Sequence, residues 1–139
     1  MTIFIPGYVV PWARAARGRG HSYTPAAQAD YKKKLVDTLR YSWFGPQLEM
    51  ARVDILVLRA RPARLRGPPG RAWYPGVPDR DNFDKMALDA IQEAGIVAND
   101  SRVVCGTIAK MYAAADEAEG LEITIQAPGR VEPWGRPRP

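Results

Sequence analysis

Four residues in one stretch have the types and spacing to work on a phosphodiester: Asp79 and Asp81, two apart, Lys85 four after the second, and Asp100 just before an apolar run. Hard cations such as Mg²⁺ take carboxylate oxygens, typically one or two from the protein, with water and substrate phosphate completing the shell. One or two such ions would lower the pKa of an attacking water, neutralise the phosphate and stabilise the leaving oxygen. Alternate residues of an extended stretch point the same way, so Asp79 and Asp81 converge if their turn is extended. Asp100 completes the cluster if the strand after it returns beside the helix. Lys85 lies one helical turn from Asp81, placed to ground a carboxylate or touch the scissile phosphate. The plain alternative makes Asp81 a helix cap with Asp84 as its partner, Lys85 a surface pair with Asp81 or Asp89, and Asp100 a turn residue.

Charge weighs against the plain alternative. Twenty Lys and Arg against fifteen acids give net +5. Residues 55–78 hold Arg59, Arg61, Arg64, Arg66 and Arg71 and no acid, whereas 79–100 hold six acids against Arg80 and Lys85, net −4. A basic strip attracts polyanions, and an acid cluster repels phosphate unless a cation intervenes. The combination points to a nucleic-acid surface around a metal-dependent centre. Candidate phosphate contacts are Arg59, Arg61, Arg64, Arg66, Arg71 and Arg80, the loop residues Arg14, Arg17 and Arg19, and the run Lys32, Lys33 and Lys34. For any one of them a solvated basic face is the alternative.

The elements that must position these groups can be read from periodicity. Thr2 to Trp12 is β-rich but broken by Pro6-Gly7, a first strand with a bend or an edge position. A basic loop follows. Thr24-Pro25 then opens a first helix near 25–42, carried by Tyr31, Leu35, Thr38 and Leu39. Arg52 to Ala60 reads as a central strand, mostly apolar on both faces, with Val53, Ile55 and Val57 alternating with Asp54, Leu56 and Leu58. Residues 61–78, with five prolines and three glycines, exclude a helix or an interior strand and form a long basic loop. The second helix spans about Asn82 to Ala94, with Phe83, Met86, Ala87, Ala90, Ile91 and Ala94 in one apolar stripe and Gly95 past its end. Arg102 to Tyr112 and Gly120 to Gln126 are strands, with 113–119 expected as a hairpin loop between them. The order β-α-β-α-β-β predicts a single α/β (α+β) domain: a mixed four-stranded sheet with two main helices over residues 1–126. A Pro/Gly/Arg-rich tail at 127–139 is expected to be flexible.

Other chemistries are excluded. One cysteine, Cys105, and one histidine, His21, allow neither an intramolecular disulfide nor a Cys/His zinc cage. An EF-hand begun at Asp79 has Asp84 where Gly is needed, and no P-loop is present. Pro78-Asp79 resembles the start of the PD-(D/E)-x-K nuclease motif, but neither Lys85 nor Lys110 has an acid two residues before it. No apolar run approaches a membrane span and the N-terminus lacks signal-peptide character, so no membrane partner and a cytoplasmic location are expected.

Asp79-Arg80-Asp81-Asn82-Phe83-Asp84-Lys85, followed by Leu88-Asp89-Ala90, Gly95-Ile96 and Asn99-Asp100-Ser101-Arg102-Val103-Val104, resembles without gaps the D-x-D-N-x-x-K pattern and following segments of the RusA family of Holliday junction resolvases, found in bacteria and often on prophages. Arg17-Gly18-Arg19, Tyr23-Thr24-Pro25 and Tyr31 resemble the family's basic loop and first helix more loosely, so the likeness covers residues 2–126. The resemblance implies that Asp79, Asp81 and Asp100 bind Mg²⁺, with Mn²⁺ as the alternative ion, and that Lys85 assists catalysis by stabilising charge at the phosphate. It further implies a homodimer whose two active sites nick a four-way DNA junction in pairs. Asn99 stands where many members carry an acid, and residues 61–78 are longer and richer in proline than the family pattern. The expectation is a Mg²⁺-dependent structure-selective endonuclease of DNA recombination and repair, with water as nucleophile. Its rivals are a non-catalytic nucleic-acid-binding protein and an endonuclease of flaps or forks.

Overall fold

The computed structural model describes residues 1–12, 16–18, 21–23, 26–65 and 67–129, with backbone alone for 16–18 and 21–23. Its elements are β1 (Thr2–Pro6), β2 (Ala16–Gly18), β3 (His21–Tyr23), α1 (Ala26–Ser42), β4 (Ala51–Arg59), β5 (Ala72–Trp73), α2 (Arg80–Glu93), a 3-10 turn (Asp100–Arg102), β6 (Val103–Tyr112) and β7 (Gly120–Gln126). The main sheet runs β1-β7-β4-β6-β5, and β2 and β3 form a separate antiparallel pair. The mixed α+β class with two helices is as expected, but the sheet has five strands rather than four. The extra strand is β5, two residues inside the proline-rich loop that pair at the sheet edge with Tyr112 and Met111. An edge position needs hydrogen bonds on one side only, which a proline-flanked dipeptide can supply.

A second correction concerns residues 113–119. The strands they join are not neighbours, because β6 and β7 lie on opposite sides of β4. Ile55 at the middle of β4 faces Ile108 of β6 in parallel and Ile123 of β7 antiparallel. Parallel strands need a crossover of a dozen or more residues, and the segment holding α2 is that crossover. The helix-facing side of β4, Val53, Ile55 and Val57, is buried, whereas its other side carries Arg52 and Asp54 beside Leu56. Met1 is tied to the other end of the fold: its ammonium donates to the Ile125 carbonyl at 2.9 Å.

Both helices cover one face of the sheet. Tyr31, Leu35, Val36 and Leu39 of α1 and Phe83, Met86, Ala87, Ala90 and Ile91 of α2 pack with the inward residues of β1, β4 and β7. Each fully buried large apolar side chain contributes about 1.5–3 kcal/mol. The buried stripe of α2 is the one read from the sequence except for Ala94, which is the C-cap and only partly buried, and the polar side of that helix faces outward. The opposite face of the sheet carries polar residues, among them Asp54, which accepts from Arg52 at 2.8 and 3.0 Å and from the Thr107 amide at 2.9 Å. No helix among the described residues is long and apolar enough to cross a membrane. The expected helix start at Thr24 and Pro25 and the tail residues 130–139 lie outside the described residues.

Candidate functional site

The segment entering α2 is fixed from below by Lys110 of β6. Its ammonium donates to the carbonyls of Gly76 at 2.6 Å and Pro78 at 2.8 Å and lies 5.1 Å from the centre of the Tyr74 ring. Tyr74 in turn donates its hydroxyl to the Val77 carbonyl. Asp79 therefore sits on an anchored turn. It is the N-cap residue of α2, extended at φ −64° and ψ 154°, yet its side chain makes no capping hydrogen bond. The helix starts two residues earlier than expected, so Asp81 lies in its first turn rather than at the cap. Both carboxylates are exposed. The free N–H groups and dipole of this helix end favour negative charge there.

Lys85 follows one turn later and is also exposed. Its ammonium lies 4.4 Å from the centre of the Trp12 ring, and it makes no ion pair among the described residues. Trp12 is itself docked on α2, its amide donating to the Asn82 carbonyl at 3.0 Å. In sequence Trp12 only closes the first strand, and a tryptophan ending an uncharged, apolar stretch gives no sign of meeting a helix so far along the chain. Asp84, three residues after Asp81, is half-buried. Burial pushes its carboxyl above the usual range, Arg80 opposes the shift and Asp81 reinforces it. With Leu88 and residues 103–108 of β6 it lines a cleft of about 220 Å³.

Asp100 is placed elsewhere. Its backbone N–H donates to the Gln92 side-chain oxygen at 3.1 Å, at the C-terminal end of α2. From Asp81 to Gln92 the helix advances about 16 Å, at roughly 1.5 Å per residue. The strand after Asp100 does return beside α2, as expected, but it starts from the far end of the helix. Consistently, no group of three or more His, Cys, Asp or Glu side chains among the described residues is gathered so as to hold a metal ion. Within one chain the structure thus brings together Asp79, Asp81 and Lys85 at one helix end and leaves Asp100 at the other. Asn99 caps the 3-10 turn, its side chain accepting from the Ser101 amide at 3.1 Å. An uncharged oxygen acceptor performs this local task, and Asn99 is occupied by it.

The basic residues divide in the same way. Arg59 is 7% exposed. Its guanidinium donates to the Val9 carbonyl at 3.0 Å and lies 4.1 Å from the Tyr8 ring centre and 5.3 Å from that of Phe83. It is a core residue, which corrects its assignment as a surface phosphate contact: its position on the helix-facing side of β4 turns it inward. Arg61 donates to the Gly70 and Pro68 carbonyls and shapes the loop. Arg71 is paired with Glu117, Lys32 with Glu93 at 2.9 Å and Lys33 with Asp37 at 2.8 Å. Arg64 and Arg80 are exposed and unpaired among the described residues. Arg14, Arg19 and Arg66, and the side chain of Arg17, lie outside the described residues.

The family model for endodeoxyribonuclease RusA matches residues 6–126. The chain belongs to the RusA family. That match spans both helices and every strand of the main sheet except β1, of which it reaches only Pro6, and it makes the chain a DNA-hydrolysing endonuclease by family. No curated protein matches the chain. For a RusA-family chain the donor chemistry at the mouth of α2 fits a hard divalent cation: two exposed carboxylates, one of them an N-cap whose oxygens the helix leaves unused.

Proposed function

We propose that this RusA-family protein is a cytoplasmic, Mg²⁺-dependent resolvase of four-way DNA junctions, working as a homodimer in recombination and repair. The observation that carries the reading is the exposed pair Asp79 and Asp81 on the anchored turn at the start of α2, with Lys85 one turn inside. Asp79 and Asp81 would hold the ion, which when bound supplies an activated water and charge neutralisation at the phosphate. Lys85 presents its ammonium to the scissile phosphate from the Trp12 face, stabilising charge as the bond breaks. Arg80, between the two acids, takes a neighbouring phosphate and fixes the strand. Lys110 holds the turn so that the two carboxylates keep their spacing without having to reorganise.

Asp100 supports the dimer in this reading. An acid held about 16 Å along α2 from the other two cannot share their ion within one chain, whereas a second copy arranged about a two-fold axis can deliver it. Two sites then arise together, as paired nicking of a symmetrical junction requires.

A gel assay tests the reading: a labelled four-way junction, a replication fork, a flap and linear duplex, each with Mg²⁺ or EDTA. The expected result is paired nicking of the junction in Mg²⁺ alone. Salt-sensitive binding of all four without nicking would leave a nucleic-acid-binding protein, and preferential cutting of the fork or flap would move the substrate while keeping the chemistry.

A further inference from the structure

Trp73 presents its indole from a fixed support. It ends β5 at the edge of the sheet and is 73% exposed. The residue after it is held from several sides: the Tyr74 amide donates to the Lys110 carbonyl at 3.1 Å, its ring meets the Tyr112 ring edge-on with centres 5.1 Å apart, and the Lys110 ammonium lies 5.1 Å from the same ring. From there exposure alternates. Trp73, Pro75, Val77 and Asp79 are exposed, whereas Tyr74, Gly76 and Pro78 are partly buried. An outward apolar row therefore begins in an indole and ends at the N-cap carboxylate of α2. Exposed apolar surface rimmed by polar groups marks a binding surface rather than core.

Trp73 also walls a cleft of about 340 Å³, with Pro75 and Ile108 as further apolar sides and Arg80 and Lys110 as its cations. That is the size of the smallest ligand clefts, roughly 300 Å³. The cleft adjoins the acids. Arg80 stands between Asp79 and Asp81 and is unpaired among the described residues, and Lys110 holds the Pro78 carbonyl, just before Asp79, at 2.8 Å. These two charges draw a polyanion that crosses the acids over the indole. DNA offers one kind of apolar surface to it, the face of a base. Along a duplex each face is covered by the next pair, and a face is free only where the stack is interrupted, as at a branch point.

We propose that Trp73 is a stacking platform for a nucleobase freed at the branch point of the DNA, seated in this cleft beside the acid site. The inference rests on the nuclease reading above and adds a subsite that selects branched over linear DNA. Base–aromatic stacking tolerates any sequence because every base has a π-face, so this subsite reads structure and not sequence. Residues 61–78, longer and richer in proline than the family pattern, supply the platform, which makes it a feature of this chain.

The experiment uses the full chain in EDTA and a four-way junction carrying 2-aminopurine either at the branch point or within an arm. Wild type is expected to change the fluorescence of the branch-point base and to leave the arm base as it was. Trp73→Ala should abolish that change and weaken junction binding roughly 5–100-fold, the loss of one base–aromatic stack, with linear-duplex affinity unaltered. Trp73→Phe, which keeps an aromatic face, should retain most of both. Melting temperature and solution mass are measured on each variant. A Trp73→Ala protein that binds the junction as tightly as wild type, or that loses junction and duplex equally, overturns the subsite. So does a changed solution mass, which would make the indole a contact between copies. Nicking in Mg²⁺ is scored separately: nicking by a protein whose Trp73→Ala variant keeps full junction affinity defeats the subsite alone, and a Trp73-dependent branch-point signal without nicking defeats the nuclease alone.

Discussion

Gln92 holds Asp100 in place: the side-chain oxygen of the first accepts the backbone N–H of the second at 3.1 Å, in the last turn of α2. Because the bond reaches the backbone, it sets where the 3-10 turn begins without engaging the Asp100 carboxylate. A partner one step removed from a metal ligand typically changes activity by about 10–100-fold when lost. Gln92→Ala is therefore expected to slow junction cleavage by about that factor. Asp79→Asn or Asp100→Asn should slow it by roughly 10²–10³-fold, the rate equivalent of a few kcal/mol. Single-turnover rates at saturating protein make the comparison, and wild-type cleavage by either aspartate variant would remove that residue from the site.

Arg59 and Arg80 are expected to fail in opposite ways. Arg59→Ala loses a buried charged hydrogen bond and stacking on Tyr8 and Phe83, with an expected destabilisation of about 2–4 kcal/mol. Arg80→Ala should leave the melting temperature nearly unchanged and reduce the slope of log affinity against log salt by about one. Thermal melts and salt titrations of junction binding in EDTA check both. A stable Arg59→Ala protein with a reduced salt slope would return Arg59 to the DNA surface.

Gly106 has no room for a side chain. Its φ is +151°, and an added Cβ would stand 1.7 Å from the Val53 carbonyl oxygen of β4. Gly106→Ala must push β6 away from β4, with an expected loss of about 2 kcal/mol or more. Chemical denaturation measures it, and an unchanged midpoint would mean that the two strands are spaced differently there.

Two aspartates give pH effects of opposite sign. The Arg52 hydrogen bonds, aided by Thr107, hold the Asp54 carboxyl below the usual range. Its stabilisation is present above the ordinary aspartate value of about 3.9 and is lost as pH falls through the lower folded value. Burial raises Asp84, so its favourable contribution is present below that ordinary value and is lost as pH rises through the folded one. At pH 7, Asp54→Asn is expected to lower the melting temperature and Asp84→Asn to raise it. Both differences should shrink as melts are repeated toward pH 3. An Asp84→Asn protein that melts lower at pH 7 would show that the carboxylate has a partner that outweighs its burial.

The crossover unit was the most legible part of the chain. The stripe Phe83, Met86, Ala87, Ala90 and Ile91 and the closing Gly95 were read at the right places, because a period of 3.6 and a stop residue are local properties, whereas the helix start was read two residues late, so that Asp81 lies inside the helix. Strand order was not legible. That β7 lies between β1 and β4 follows from which apolar faces meet over long separations, and residues 113–119 look like a hairpin loop whichever way they lead. The acids were read as one group since they share a motif, but a motif records separation along the chain. A helix of 14 residues between them turned nearness in sequence into distance in space. Arg59 was misread for the complementary reason: charge marks a residue as exposed unless the parity of its strand position is counted, and that parity places it with Val53, Ile55 and Val57 on the helix side.

The place of β7 bears on how the protein is made. The last strand of the sheet in chain order is the one that joins β1 to the rest, since among the described residues β1 pairs with β7 alone and β7 with β4. A ribosome that has delivered every catalytic candidate through Asp100 has still not delivered the strand that seats the N-terminus. β1 therefore has no strand to pair with until β7 has emerged, at about Gln126. A nascent chain stalled short of β7 would therefore carry Asp79, Asp81, Lys85 and Asp100 on an open sheet.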